Sequence, residues 1–149
     1  MKSRLNYYEA APDALKAMMG LERYVHHSDL EDSLIELVKM RASQLNQCAY
    51  CIDMHSKDAR KAGETEQRLY ALSAWRETPF FSERERAALE WTEALTRLSS
   101  THITDELYDE VKAHFNDEEM VVLTMAIVAI NGWNRLGVGF KSEVGDYQP

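Results

Sequence analysis

The chain has 149 residues, enough for one domain with one core. Seventeen basic and twenty-five acidic side chains leave a net charge of −8, with no Lys/Arg block. That balance argues against nucleic acid and anionic membranes as partners. Apolar residues at 45% and charged residues at 28% exclude a disordered chain, and six glycines and three prolines are too few for an all-β fold.

Residues 1–9 carry Lys2 and Arg4 but no apolar run behind them, so no secretory leader is expected. The longest apolar stretch, Met120 to Ile130, is interrupted only by Thr124. It is shorter than the roughly 20 residues that span a bilayer, and reads as a buried core helix. The expected location is the cytoplasm, where thiols stay reduced and a Cys pair points to chemistry rather than to a staple.

Punctuation residues divide the chain into helices. Pro12 suits the first turn of a helix reaching about His27. Asp29 is the expected cap of a second, with Leu30, Leu34, Leu37, Val38 and Leu45 mostly at helical spacing. A break over Asn46 to Ala49 precedes a third helix, from Cys48 or Ala49 to Ala62, with Gly63 as its left-handed stop. Thr65 caps a fourth carrying Leu69, Leu72 and Trp75, which Thr78-Pro79 ends. Ser82 to Glu85 is a capping box opening a fifth helix through Leu98. Thr104 caps a sixth bearing Leu107, Val111 and Phe115, and Asp117 is the expected cap of the last. The middle of that last helix is apolar all round, which places it in the core or at a subunit contact. The reading is an all-α bundle of about six to seven helices, a single domain over residues 1–149.

Both cysteines lie in one motif, Cys48-Ala49-Tyr50-Cys51, with His55 four residues on. On a helix, Cys48, Cys51 and His55 share one face. A thiol at a helix N-terminus has its pKa lowered by unpaired N–H groups, and the thiolate is the nucleophile. A second thiol three residues away can then resolve the oxidised product as a disulfide, while His55 takes or supplies the proton. Two other readings stay open: a pair of buried filler cysteines, and a zinc site of Cys48, Cys51, His55 and a carboxylate. Glu36 sits among Leu34, Ile35, Leu37 and Val38. Periodicity alone makes it a solvent-facing charge, but packing of neighbouring helices would bring it beside His55.

The run from Glu36 through Arg41, Ser43, Asn46, Cys48, Tyr50 and Cys51 to His55 reads ExxxxRxSxxNxCxYCxxxH. It resembles the signature of the AhpD-like alkylhydroperoxidases in the carboxymuconolactone decarboxylase-like superfamily. The segment Asn131-Gly132-Trp133-Asn134-Arg135 resembles a C-terminal feature of the same proteins. The resemblance implies an all-helical trimer or hexamer that reduces peroxides without haem, flavin or metal. It implies Cys51 as the attacking cysteine and Cys48 as the more exposed partner that resolves it and meets an external dithiol reductant, a thioredoxin-like or lipoyl-type protein. Glu36 and His55 match the proton relay. The residue before the second cysteine is commonly His in the AhpD enzymes and is Tyr50 here. The lactone decarboxylases of the superfamily lack this dithiol.

The function expected is therefore a cysteine peroxidase acting on hydrogen peroxide or organic hydroperoxides. The alternatives are a redox sensor, a general thiol–disulfide oxidoreductase, or a lactone-processing relative. Tyr50 and Trp133 are the candidate substrate contacts. Tyr7, Tyr8, Trp75, Phe80 and Phe81 are weighed as pocket lining but read as core or interface filling. His26 and His27 read as structural or exposed, and Arg41 as an internal counter-charge.

Overall fold

Side-chain caps set most of the helix starts. Thr65, Ser82, Thr104 and Asn116 each accept a bond from the backbone N–H three residues on. Each satisfies a donor the helix leaves free, worth about 1 kcal/mol. The computed structural model describes residues 2–149. Met1, the start of the N-terminal stretch discussed above, lies outside them. The elements are α1 (Tyr7–Ala10), α2 (Pro12–His26), α3 (Asp32–Leu45), α4 (Ala49–Lys61), α5 (Glu66–Ala71), a 3-10 turn (Leu72–Glu77), α6 (Glu83–Thr96), α7 (Asp105–Lys112) and α8 (Asp117–Phe140). No strand occurs among the described residues, so the fold is all-α.

The departures from expectation are local. The single turn α1 is additional, and Asn6 caps it through Tyr8 N. Asp29 does not cap α3, which starts behind Glu31 with no side-chain cap. The intervening turn is held instead by Ser28, whose hydroxyl donates to Val25 O and accepts from Leu30 N. Asn116, not Asp117, caps α8, because its amide oxygen reaches Glu119 N while the Glu119 side chain returns to Asn116 N. Leu72 and Trp75 belong to the 3-10 turn, which bends at Ala74 (φ −121°, ψ 30°).

Helix α3 is the central element and packs on α4, α6 and α8. One apolar cluster joins Ile35 and Val38 to Leu123 and Ile127 of α8 and Ala88 and Trp91 of α6. A second joins Leu37 and Met40 to Leu72, Trp75, Phe81 and Leu89. Each such side chain contributes about 1.5–3 kcal/mol by leaving water. Helix α8 is long and apolar enough to cross a membrane by length and composition alone. Here it packs on α2, α3, α4 and α6, burying Leu123, Ala126, Ile127 and Ile130 while Val121 and Val128 stay half exposed.

One charge lies deep in this scaffold. Glu93 of α6 accepts from Arg41 Nε at 2.7 Å, Trp75 Nε1 at 2.9 Å and a guanidinium nitrogen of Arg76 at 2.7 Å. Arg41 is thus the internal counter-charge that its sequence position foreshadows. Burial pushes the Glu93 carboxyl up, but the bonds from Arg76, Trp75 and Arg41 outweigh it and hold the group below the ordinary carboxylate range. A carboxylate so lowered adds stability above its unfolded pKa and loses it as pH falls through the folded value. Glu93→Ala strands the buried Arg41 guanidinium and should cost about 3–5 kcal/mol in urea unfolding at neutral pH. Exposed Glu90→Ala should cost less than about 1 kcal/mol. The stability gap between the native chain and Glu93→Gln should narrow below about pH 4.

Candidate active site

The turn between α3 and α4 places the cysteines. Gln47 takes the left-handed conformation (φ 53°). Gln47 N–H then donates to Gln44 O at 3.2 Å and Cys48 N–H to Ser43 O at 3.0 Å. This paired bond closes α3 and returns the chain at once, so α4 starts alongside the helix just left. Cys48 becomes the N-cap of α4, and its Sγ accepts from Cys51 N at 3.4 Å. Cys48 and Cys51 are joined in a disulfide.

Other motif residues lock this turn to α8. Ser43 Oγ donates to Lys39 O at 2.7 Å and accepts from Asn134 Nδ2 at 3.0 Å. Asn46 Nδ2 donates to Asn131 Oδ1 at 3.0 Å and Asn134 Oδ1 at 2.9 Å. Helix α8 then passes over the disulfide at Gly137. A Cβ there would stand 2.9 Å from Cys48 Sγ and 3.5 Å from Cys51 Sγ, so only glycine fits.

That approach corrects one expectation. Cys48 is not the more exposed cysteine: it has no accessible surface, whereas Cys51, 2% exposed, forms part of a cavity wall. The sequence places Cys48 at a helix entrance but does not show that α8 roofs it.

His55 and Glu36 come together as the motif implies. His55 Nδ1 lies 2.9 Å from Glu36 Oε2, with His55 buried and Glu36 mostly so. With Nδ1 engaged by Glu36, Nε2 is the ring nitrogen left to meet other groups. His55 follows Cys51 by one helical turn, and neighbours at that spacing stand about 6 Å apart at Cβ.

Cys51, His55 and Glu36 share a cavity of about 490 Å³. Its wall also takes Met19, Glu22 and His26 from α2, Lys39 from α3, Met54 and Asp58 from α4, and Trp133 from α8. Both candidate contacts, Tyr50 and Trp133, are on it. Of the aromatics weighed from sequence, Tyr7 and Tyr8 line it, while Trp75 and Phe81 are core, with Phe80 packed against them. His26 also lines the cavity, whereas His27 is exposed and bonds to Arg23 O.

Lys39 is fully buried, with its ammonium against Glu22 and 3.0 Å from His26 Nε2. Burial pulls it down to about 8, opposed by the Asp58 charge. Trp133 Nε1 donates to the other Glu22 oxygen at 3.0 Å. On the far side the C-terminal segment crosses α4, where Lys57 Nζ donates to Gly145 O at 3.3 Å and Tyr147 O at 3.1 Å. Tyr147 OH donates to Asp58 Oδ1 at 2.8 Å, and its phenol is pushed up to about 12 by burial and by that carboxylate. Tyr50 is raised too, by burial and by the Tyr7, Asp53 and Asp58 charges. Both phenols therefore remain hydrogen-bond donors at neutral pH.

The disulfide occupies the two sulfurs that the zinc reading would have used. Glu36, His55 and Asp58 still offer three donor atoms within 4.8 Å of one another. Sequence reasoning did not reach Glu22, Asp58 or Tyr147. Lys39 alone left a trace, as a cation inside the apolar run from Leu37 to Met40.

Comparison with known proteins bears on the family and the fold. Protein YdfG of Bacillus subtilis (strain 168) is 49% identical over 138 residues, covering 93% of this chain and 94% of its own length; its function is uncharacterised. The crystal structure of an Agrobacterium tumefaciens protein of unknown function, with AhpD antioxidant defence as its suggested role, matches at a TM-score of 0.94. It is 48% identical, covering 98% of this chain and 100% of that one. An uncharacterised peroxidase-related protein from Silicibacter sp. TM1040 shares the fold at a TM-score of 0.82, with 22% identity over 93% of this chain and 74% of its own. The sequence profile of the carboxymuconolactone decarboxylase family matches residues 12–94, more than half of the chain, and the chain belongs to that family.

Proposed function

We propose that this protein is a thiol-dependent peroxidase that cycles the Cys48–Cys51 pair between dithiol and disulfide. The observation that carries the reading is the meeting of Cys51 with the His55–Glu36 pair on one cavity wall. Cys51 thiolate attacks the outer oxygen of a hydroperoxide. The O–O bond breaks, the alkoxide leaves with a proton from His55, and Cys51 becomes a sulfenic acid. Cys48 attacks the Cys51 sulfur, water departs and the disulfide forms. Two electrons from an external dithiol restore the pair. Glu36 fixes the His55 tautomer, as a carboxylate partner does for other catalytic imidazoles.

The cavity favours a neutral organic hydroperoxide over hydrogen peroxide. Hydrogen peroxide is little larger than water, whose share of liquid volume is about 30 Å³. The cavity is about 490 Å³ with an aromatic and methionine lining. Glu22, Asp32, Glu36 and Asp58 border it against one lysine, which disfavours anions. Cumene hydroperoxide should therefore exceed hydrogen peroxide in kcat/KM by about tenfold or more, the order that burying two or three methylene equivalents supplies. A higher value for hydrogen peroxide would refute this substrate reading.

Glu36→Gln and His55→Ala should each slow peroxide consumption by about 10²-fold or more at saturating reductant, and the double variant should be little worse than either. Wild-type rates in both single variants would remove the relay. We also assign the half-exposed Val121 and Val128 of α8 to contact between copies of the chain in a trimer or hexamer. Light scattering at micromolar concentration should show the oligomer, and a stable single-chain species would overturn that assignment.

A further inference from the structure

We propose that Glu36, His55 and Asp58 form a binding site for one divalent cation of the zinc and manganese class, held without either cysteine sulfur. The site goes beyond the dithiol reading and stands whether or not peroxide is the substrate.

Two helices supply the donors. Helix α4 carries His55 and Asp58 three residues apart, hence on one face, and Glu36 meets them from α3. One oxygen of each carboxylate and one ring nitrogen of His55 all lie within 4.8 Å of one another. A His and a carboxylate at that spacing on one helix, joined by a Glu from the next, is a pattern with which helical bundles hold metal ions. A zinc ion stands about 2.0–2.2 Å from each donor and keeps the donors roughly 3.5 Å apart, so a small rotation of the side chains closes the set.

The charge at this place is uncompensated. Among the described residues, neither Glu36 nor Asp58 has a lysine or arginine within ion-pair distance: Glu36 bonds to His55, and Asp58 accepts from the Tyr147 hydroxyl. Lys39, the lysine on the same cavity, is already against Glu22. Both carboxylates are partly buried, and like charges brought together there repel unless a cation or a proton intervenes. His55 is 5% exposed, and among the described residues only its Nδ1 has a partner. Tyr147 OH, at 2.8 Å from Asp58 Oδ1, orients that carboxylate as outer partners orient metal ligands.

The donors also select the ion. Two carboxylates and an imidazole suit Zn²⁺ and Mn²⁺, whereas soft Cu⁺ needs sulfur. Ca²⁺ asks for more oxygens than this wall offers, and Mg²⁺ gives up its water reluctantly. A bound ion takes both members of the pair that the peroxidase reading uses for proton transfer. On that reading, metal binding and turnover exclude each other.

The test uses the oxidised native chain, whose joined sulfurs do not compete for the ion. Titration calorimetry should show one Zn²⁺ bound per chain. His55→Ala and Asp58→Asn, each checked for a native circular-dichroism spectrum, should weaken binding at least about tenfold, the lower end of what disturbing a metal's surroundings costs. Asp32→Asn, on the same cavity but outside the set, should leave it unchanged. No binding, or binding that ignores both His55→Ala and Asp58→Asn, would overturn the proposal. The native chain decides the matter even if a variant misfolds: Mn²⁺ should broaden amide resonances first around residues 36, 55 and 58, and broadening centred elsewhere would overturn it. Pre-reduced chain freed of donor is then mixed with one equivalent of cumene hydroperoxide. Bound Mn²⁺ should slow consumption by about 10²-fold, the scale of lost acid–base help, and chelation should restore it. An unchanged rate would overturn the exclusion. Metal binding without any peroxide consumption would sink the peroxidase reading and leave the site, and consumption without metal binding would do the reverse.

Discussion

Helix α8 can cross the start of α4 only because residue 137 has no side chain, and the placing of the disulfide depends on that contact. The approach is not left to apolar packing. Asn134, one turn before Gly137, donates to Ser43 and accepts from Asn46, which anchors α8 to the last turn of α3 and its C-cap. Asn134 is itself fully buried, so its amide must be satisfied, and these two residues supply the partners. The disulfide is thus clamped between a helix cap beneath and a glycine above. What differs between the cysteines is not their type or their position in the motif but which one lies under the roof.

Among the described residues, two ion networks are built on a buried arginine or lysine, and their settings separate structure from candidate chemistry. Glu93 is enclosed by Arg41, Trp75 and Arg76 and belongs to the scaffold between α3, the 3-10 turn and α6. The pair of Lys39 and Glu22 has its own satellites, His26 and Trp133, but opens on the cavity that holds Cys51. A buried ion pair is weak evidence for stability, because desolvation offsets most of its attraction. Among the described residues no buried side-chain nitrogen or oxygen lacks a hydrogen-bond partner, so both networks are fully satisfied. The second nevertheless adds charged groups to the aromatic and methionine lining of the cavity, a mixture found where pockets fix a guest's orientation.

The sequence was most legible where a signal is local. Ser82 and Glu85, Thr104 and Thr65 announce helix starts because a cap acts over three residues. Asp29 and Asp117 misled for the same reason: each has a competitor within three residues, and backbone geometry rather than side-chain type decides between them. At the site, Cys48, Cys51 and His55 share one helix, and Glu36 faces them from the helix before, so adjacency in sequence carries them together. Tyr147 and Asp58 meet across 89 positions, and Trp133 and Glu22 across 111. No periodicity reports such a convergence, which is set by how α8 and the C-terminal segment pack. The buried state of Cys48 was misjudged on the same ground, since its cover comes from residue 137.

The motif itself shows how little of a site signature is reacting chemistry. Of its residues, Cys51, Cys48, His55 and Glu36 can exchange electrons or protons. Arg41 is spent on Glu93, Ser43 on Lys39 O and Asn134, and Asn46 on two asparagines of α8. These residues hold the turn that carries the cysteines and do not face the cavity. The same turn does both jobs. By closing α3 at Gln47 it returns the chain so that His55 reaches Glu36, and by making Cys48 the N-cap it sets that sulfur where negative charge is best tolerated. A sulfur fixed there lies directly under Gly137, so the fold alone sets the two cysteines in different surroundings.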